Sequence, residues 1–370
     1  MLKVRYHTHH LELSGYGRAA AGYLAALNRV GGVEIEVSPV VRDGDEPQQS
    51  EVDVAIYHTT PGRLSDVRRS PAKRHVALTT WETEPLPAEF ANALRKFDAV
   101  IVPSIFCRNL IESAWHVAPG SSNIHVVPHA FDPEVWQPRA SARAEGDVLT
   151  FYSIGAWGER KNTLGLLKAY LHTFVRSDKT RLVLVVDKVH MPAIHSVLAR
   201  SLLPRDELPG LIVPDHRLSD DEIVQLHRDG HCFVTATRSE GFGLPIFEAA
   251  VMGKPVISPA WGGQFEFLEG YRPWRRVWHA LTPVYPGEDS FVYENGAARL
   301  ETALPNGANC RQLWAEPSLD RLAWDMRMVH EDFRAGRLAD YHLRRPWFEK
   351  HYSLDAIGTL FINTLKEIFR

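Results

Sequence analysis

Apolar and polar positions along the chain fall into a repeating order of strand-like and helix-like runs. Residues 2–6 (LKVRY) alternate apolar and basic side chains, the period of a half-buried strand. A loop over 7–17 (HTHHLELSGYG) leads into an Ala- and Leu-rich run at 18–28 that predicts a helix. Further strands are predicted at 33–40, 52–57, 75–80, 99–103 and 123–128, with a polar loop over 42–51 and a helix over 106–114 capped by Ser104. The pattern breaks at 136–147, a polar stretch with Pro138 and several Ala and Arg, which reads as an interdomain linker. It then restarts. Strands at 149–154, 181–186, 211–214 and 232–236 are interleaved with helices at 163–173 and, capped by Ser219, at 219–228. An apolar helix at 246–252, stopped by Gly253, is followed by a strand at 255–259. Residues 270–310 read as irregular, and helices close the chain at 319–335 and 354–369. Alternation of this kind, run through twice, predicts an α/β protein, and the opening strand, Gly-containing loop and helix are Rossmann-like.

Length and composition sharpen this only a little. The 370 residues suit about two domains. Net charge is −3, so the chain is not basic overall, although a local basic groove is compatible with that value. Cys107, Cys232 and Cys310 are too widely spaced for a metal site or disulfide framework, which suits a reducing, cytoplasmic setting. The N-terminus lacks the apolar run of a signal peptide, and there is no apolar stretch of about 18 residues, so no transmembrane segment is expected. Peripheral membrane contact stays open. His7, His9 and His10 are joined by no Cys or carboxylate cluster, so no metal is expected there. The acidic Asp43-Gly44-Asp45 reads as a surface loop.

The chemistry concentrates in residues 239–258, SEGFGLPIFEAAVMGKPVIS. Glu240 and Glu248 are separated by seven residues, with the tight turn Gly-Phe-Gly-Leu-Pro between them. Gly241 and Gly243 lack a Cβ, so a ligand could approach their amides closely. Pro245 suits a first helical turn, and the free amides and positive helix end there favour a phosphate. Carboxylates on either side can accept hydrogen bonds from hydroxyls. A sugar phosphate or a nucleotide ribose meets both demands. In the second half, Arg160 and Lys161 stand just before the helix at 163–173, and two cations beside free amides make a diphosphate site. Trp81-Glu82-Thr83-Glu84-Pro85-Leu86-Pro87 follows a strand end, where α/β sheets bind ligands, and reads as a rigid loop presenting an aromatic face and a carboxylate. Arg272, Arg275 and Arg276 interleave with Trp274 and Trp278, a composition that can hold nucleic acid or another anionic acceptor. A strap over the second domain is the plainer reading.

The Glu240–Glu248 segment, with GFGLP, the EAA helix and GKPVI, resembles the Glu-x7-Glu motif of retaining glycosyltransferases of the GT-B fold, closest to family 4. The resemblance runs over nearly the whole chain and is best in the second half. It implies two Rossmann-like domains facing across a cleft: residues 1–140 as an acceptor domain, completed by the helix at 353–370, and 147–345 as the donor domain. The donor would be a UDP- or GDP-linked sugar, with no cofactor or metal required, and the acceptor a saccharide or glycoconjugate hydroxyl. Lys161 matches the family lysine that holds the diphosphate, with Arg160 before it, while Ala156 stands where the family often has an arginine. Glu240 would bind a sugar hydroxyl and Glu248 the ribose. The amides of Phe242, Gly243 and Leu244 would hold sugar or phosphate, and Asp215 would lie near the base. Gly15 and Gly17 lie in the glycine loop near the transferred group, and with Trp81 and Glu82 they would border the acceptor. Thr80, Trp81 and Glu82 replace the histidine that other members carry there. Two alternatives remain at this stage. One is transfer to a modified base in nucleic acid, suggested by residues 272–278 with Arg68, Arg69, Lys73 and Arg74. The other is a nucleotide-sugar binder without activity. A sugar phosphorylase is disfavoured, because no motif for its pyridoxal cofactor is seen.

Overall fold

The structure is a computed structural model that describes residues 1–8, 14–40, 50–138, 148–284, 312–338 and 344–370. His9, His10, the Asp43–Asp45 loop, Cys310 and most of the expected linker lie outside the described residues. The first half contains β1 (Leu2–Thr8), α1 (Gly15–Val30), β2 (Val33–Ser38), β3 (Val52–His58), α2 (Pro61–Leu64), β4 (Ala72–Leu78), α3 (Ala88–Leu94), β5 (Ala99–Val102), α4 (Ile105–Trp115) and β6 (Ile124–Val126). The second contains β7 (Leu149–Ile154), α5 (Thr163–Thr173), β8 (Thr180–Val185), α6 (Met191–Ala199), β9 (Gly210–Ile212), α7 (Asp220–Asp229), β10 (Cys232–Val234), α8 (Leu244–Val251), β11 (Val256–Pro259), α9 (Phe265–Leu268) and β12 (Trp274–Val277). A ribbon of β13 (His279–Pro283) and β14 (Leu313–Pro317) follows, then α10 (Leu319–Arg334), α11 (Arg345–Tyr352) and α12 (Leu354–Phe369).

The strands assemble into two six-stranded parallel sheets, β2-β1-β3-β4-β5-β6 and β12-β11-β10-β7-β8-β9. Each is buried on both faces, which is why its central strands read as continuous apolar runs rather than alternating ones. Phe151, Leu182, Val234 and Ile257 are examples from the second sheet. The order of each sheet fixes where a ligand can sit. In the first sheet the order reverses between β1 and β3, and in the second between β7 and β10. A crevice opens outside the carboxyl ends of the strands at such a reversal.

The last helix belongs with the first sheet's layers. α12 packs along α1, and a Cβ at Gly358 would collide with the carbonyl of Ala26. Phe361 sets its ring edge-on to Tyr23 at 5.3 Å.

Three expectations need correction. Residues 270–284 are not irregular: β12 extends the second sheet in parallel with β11, and β13 pairs antiparallel with β14. The mixed Arg, Trp and Pro content hid this, because a strand's period is masked when charged and aromatic residues share both faces. The helix expected from residue 18 begins at Gly15, with Ser14 accepting from Gly17 N–H as its N-cap. Gly15 and Gly17 are therefore in the first helical turn, and the Gly17 amide is already used by the cap. Trp81 does not present an aromatic face: it is buried with its ring edge-on to Phe90 at 5.1 Å.

Candidate functional site

The reversal in the second sheet brings together the loops after β7 and β10. The first carries Arg160 and Lys161, and the second carries Glu240. Asn162, in a left-handed conformation, caps α5 by accepting from Gly165 N–H, which fixes the end of the loop holding Lys161. Lys161 Nζ donates to Glu240 Oε1 at 2.6 Å, and Thr237 Oγ1 donates to the same oxygen at 2.8 Å. Arg160 reaches Glu240 Oε2 at 3.4 Å and donates to the Ser239 carbonyl at 2.7 Å. Glu82, from the first domain, lies 3.8 Å from the same guanidinium. Glu240, Lys161, Arg160 and Glu82 thus meet at one point on the cleft.

Electrostatics follow from that packing. Burial works to raise the Glu240 carboxyl, but Lys161 and Arg160 together overrule it and hold the group below the ordinary carboxylate value. Burial also pulls the Lys161 ammonium below its ordinary value, with Glu240 opposing and Arg160 adding to the drop. The Glu240 shift favours its charged carboxylate. That carboxylate and the Lys161 ammonium occupy the place where hydroxyls and phosphate oxygens could be received.

The turn after Glu240 is shaped by the first domain. A Cβ on Gly241 would collide with Thr80 Oγ1, and the Gly241 carbonyl accepts from Ser104 Oγ at 2.6 Å. The missing Cβ at Gly241 thus serves domain contact, not the ligand approach expected of it. Gly243 has a positive φ of 88° as the N-cap of α8. The Phe242 ring is core, 4.9 Å from Phe267 and 4.8 Å from His129, so only its backbone faces the site. Burial lowers His129 to about 3, which keeps it neutral. Leu244 begins α8, and Pro245 lies in its first turn.

Glu248 sits four residues into the same helix and has a different set of partners. Arg18 of α1, from the first domain, holds Oε1 at 2.7 Å. His227 of α7 places Nε2 3.4 Å from Oε2. Arg18 also lies 3.5 Å from Asp220 and above the Trp136 ring. Sequence reading missed Arg18, His227 and Thr237. A signal existed for Arg18: a cation in a first helical turn faces the positive end of the dipole and calls for an acidic partner. Nothing local pointed to His227, which reads as one more residue on the buried face of an amphipathic helix.

Asp215 is exposed and bonds His216 at 3.0 Å, apart from both clusters. Gly15 is exposed at the start of α1, with open space around it. In the Arg/Trp segment, Arg275 pairs with Asp332 at 2.8 Å, and Arg276 lies over Trp274 at 4.5 Å. Lys73 pairs with Asp53 at 2.8 Å, Arg69 lies over Phe97, and Arg74 donates to the Ile368 carbonyl. These cations are engaged with the protein itself. Among the described residues no group of His, Cys, Asp and Glu is arranged to hold a metal ion, and no helix is long and apolar enough to cross a membrane.

Comparison with known proteins agrees with this architecture. Residues 148–274 match the family model described as Glycosyl transferases group 1, a segment that contains Lys161, Glu240 and Glu248. Solved structures with the same fold include a glycosyltransferase from Rickettsia africae, at TM-score 0.66 and 14% identity, covering 100% of this chain and 99% of that one. The sucrose-phosphate synthase of Thermosynechococcus elongatus aligns at TM-score 0.67 and 13% identity, over 100% of this chain and 99% of that one. Anabaena Alr3699/HepE, solved in complex with UDP, aligns at TM-score 0.64 and 13% identity, over 99% and 100%. Among curated proteins no sequence match was found. The fold is therefore GT-B, two Rossmann-like domains facing across a cleft.

Proposed function

We propose that the protein is a glycosyltransferase that moves a sugar from a nucleoside-diphosphate sugar to an acceptor hydroxyl, with retention of anomeric configuration. The observation that carries the reading is the Lys161–Glu240 pair at 2.6 Å, placed at the reversal of the second sheet within the matched segment. Lys161 and Glu240 set an ammonium and a carboxylate against each other. A sugar diphosphate offers each a better partner, a hydroxyl for Glu240 and phosphate oxygens for Lys161 and Arg160.

In this reading the donor lies on the second domain and the acceptor on the first, near the start of α1 and Glu82. Glu248 receives the ribose hydroxyls. As the bond from the anomeric carbon to the phosphate oxygen breaks, negative charge builds on the diphosphate. Lys161 and Arg160 stabilise that charge where it develops. The acceptor oxygen bonds the anomeric carbon on the face the diphosphate leaves, and its proton passes to the departing phosphate oxygen. Glu82 lies beside Arg160 and holds its guanidinium at the acceptor side. No step calls for a metal. The acceptor is a saccharide or glycoconjugate hydroxyl.

The test is incubation of the chain with UDP-, GDP- and ADP-linked sugars and a panel of saccharide acceptors. Release of nucleoside diphosphate and the configuration of the product are followed by NMR. The expected result is one preferred donor and an axial-to-axial product, with turnover unchanged by chelator. Inverted product would remove the retaining assignment, and no release from any donor would remove the transferase reading itself.

A further inference from the structure

His227 has no role in the chemistry above, yet it is fully buried against Glu248. Its ring is boxed in by aromatic neighbours: Tyr152 at 5.2 Å, Trp136 at 5.6 Å and Phe233 at 6.3 Å. Nδ1 meets the Tyr152 hydroxyl at 3.0 Å, and Nε2 faces Glu248 Oε2 at 3.4 Å. Nε2 and Oε2 have no closer partner among the described residues.

The tautomer follows from charge. A lone pair on Nε2 would face the carboxylate's own lone pairs, which is repulsive. With the proton on Nε2, the ring donates to Glu248, and Nδ1 accepts from the Tyr152 hydroxyl. Burial supports both halves of this arrangement, since it lowers the His227 pKa towards the neutral ring and raises that of Tyr152, which keeps its proton.

We propose that His227 is a positioning residue for the donor ribose: through Tyr152–His227–Glu248 it fixes Glu248 Oε2 and leaves Oε1 turned to the cleft. Oε1 is the oxygen that Arg18 holds at 2.7 Å and that the ribose hydroxyls take when nucleotide binds. This inference rests on the ribose assignment of Glu248 in the proposed function. A carboxylate holds its ligand in a fixed geometry only when packing and outer hydrogen bonds lock its own rotamer.

The experiment compares UDP, GDP and ADP with their 2′,3′-dideoxy counterparts by calorimetry, in the parent, His227→Phe, His227→Gln and Lys161→Ala chains. Thermal melting of each variant runs alongside. The parent should prefer the ribose form of its nucleotide by about tenfold or more, the scale of a charge-assisted hydrogen bond. His227→Phe should erase most of that preference, and His227→Gln, which keeps a side-chain N–H within reach, should restore part of it. Lys161→Ala should weaken both forms alike and keep the preference. A His227→Phe chain, or a folded His227→Gln chain where Phe is not tolerated, that discriminates as well as the parent but melts lower would make His227 purely structural and overturn the proposal alone. A parent that binds both forms equally, or neither, overturns the ribose assignment, and the His227 role falls with it.

Discussion

Glu240 and Glu248 lie on one short segment and are buried to nearly the same degree, but they are held in opposite ways. Glu240 takes its cations, Lys161 and Arg160, from its own domain, and its hydroxyl donor Thr237 is three residues away. Glu248 takes its cation from across the cleft: Arg18 belongs to α1, under the first sheet. The first cluster takes both cations and its hydroxyl donor from the second domain, and Glu82 of the first domain lies 3.8 Å from Arg160 at its edge. The second is joined across the two domains by the Arg18–Glu248 pair at 2.7 Å. Under the proposed function, the diphosphate end draws its cations from one domain and the ribose end draws its cation from the other. The difference sorts the two carboxylates by role more clearly than their shared spacing does.

The largest effect that would sharpen this contrast is expected from Lys161→Ala. Transfer should fall by about 100- to 1,000-fold, as when one preorganised donor to a developing charge is removed. Melting should also drop, because a buried carboxylate loses its main cation, by the lower end of about 3–5 kcal/mol since Arg160 and Thr237 remain. An unchanged turnover in that variant would place the diphosphate elsewhere. Glu248→Ala comes next. Nucleotide affinity should weaken by about 1.5–3 kcal/mol, while melting moves less, because Arg18 regains water. If instead stability collapsed and affinity held, Glu248 would be a structural anchor and the contrast would break.

A pH titration probes the Glu240 cluster further. The Glu240 carboxyl is held below its ordinary value of 4.5 in the fold. Between its folded value and 4.5 the unfolded chain binds more protons, so stability rises with pH there. The contribution is complete above about 4.5 and is lost as pH falls through the folded value. Denaturant midpoints measured down the acid limb should show that slope in the parent, and Glu240→Gln should flatten it. The smallest effect belongs to Arg18→Ala. It should leave melting nearly unchanged but widen the particle in small-angle scattering, because one cross-cleft pair is gone while Ser104–Gly241 and Ile105–Glu266 persist. Lys161→Ala, whose partners share its domain, should leave the scattering profile alone.

Much of this was legible in the sequence because the fold is built from parallel strands. Runs such as 99–103, 149–154 and 232–236 are mostly apolar and flanked by turn residues, and each became a strand. The Lys161 and Glu240 loops were legible for a related reason: glycine turns and polar residues break apolar runs just where strands end. What stayed hidden depended on distance along the chain. Arg18 and Glu248 are 230 positions apart, and no spacing rule links them. Gly241 looked like an opening for ligand, but the atom that needs its missing Cβ is Thr80 of the other domain. α2, α3, α6 and α11 are short helices with little periodicity to reveal them. β12 to β14 were hidden by arginines that stack on tryptophans, although Trp274 and Trp314 are themselves buried.

The central claim is that the Lys161–Glu240 end of the cleft receives a nucleoside diphosphate, with Glu248 holding its ribose. The most direct measurement is calorimetric titration of the parent, Lys161→Ala and Glu248→Ala chains with UDP, GDP and ADP, without metal. The account predicts that one nucleotide binds the parent and that each substitution weakens it at least tenfold. Equal binding by all three chains would contradict it.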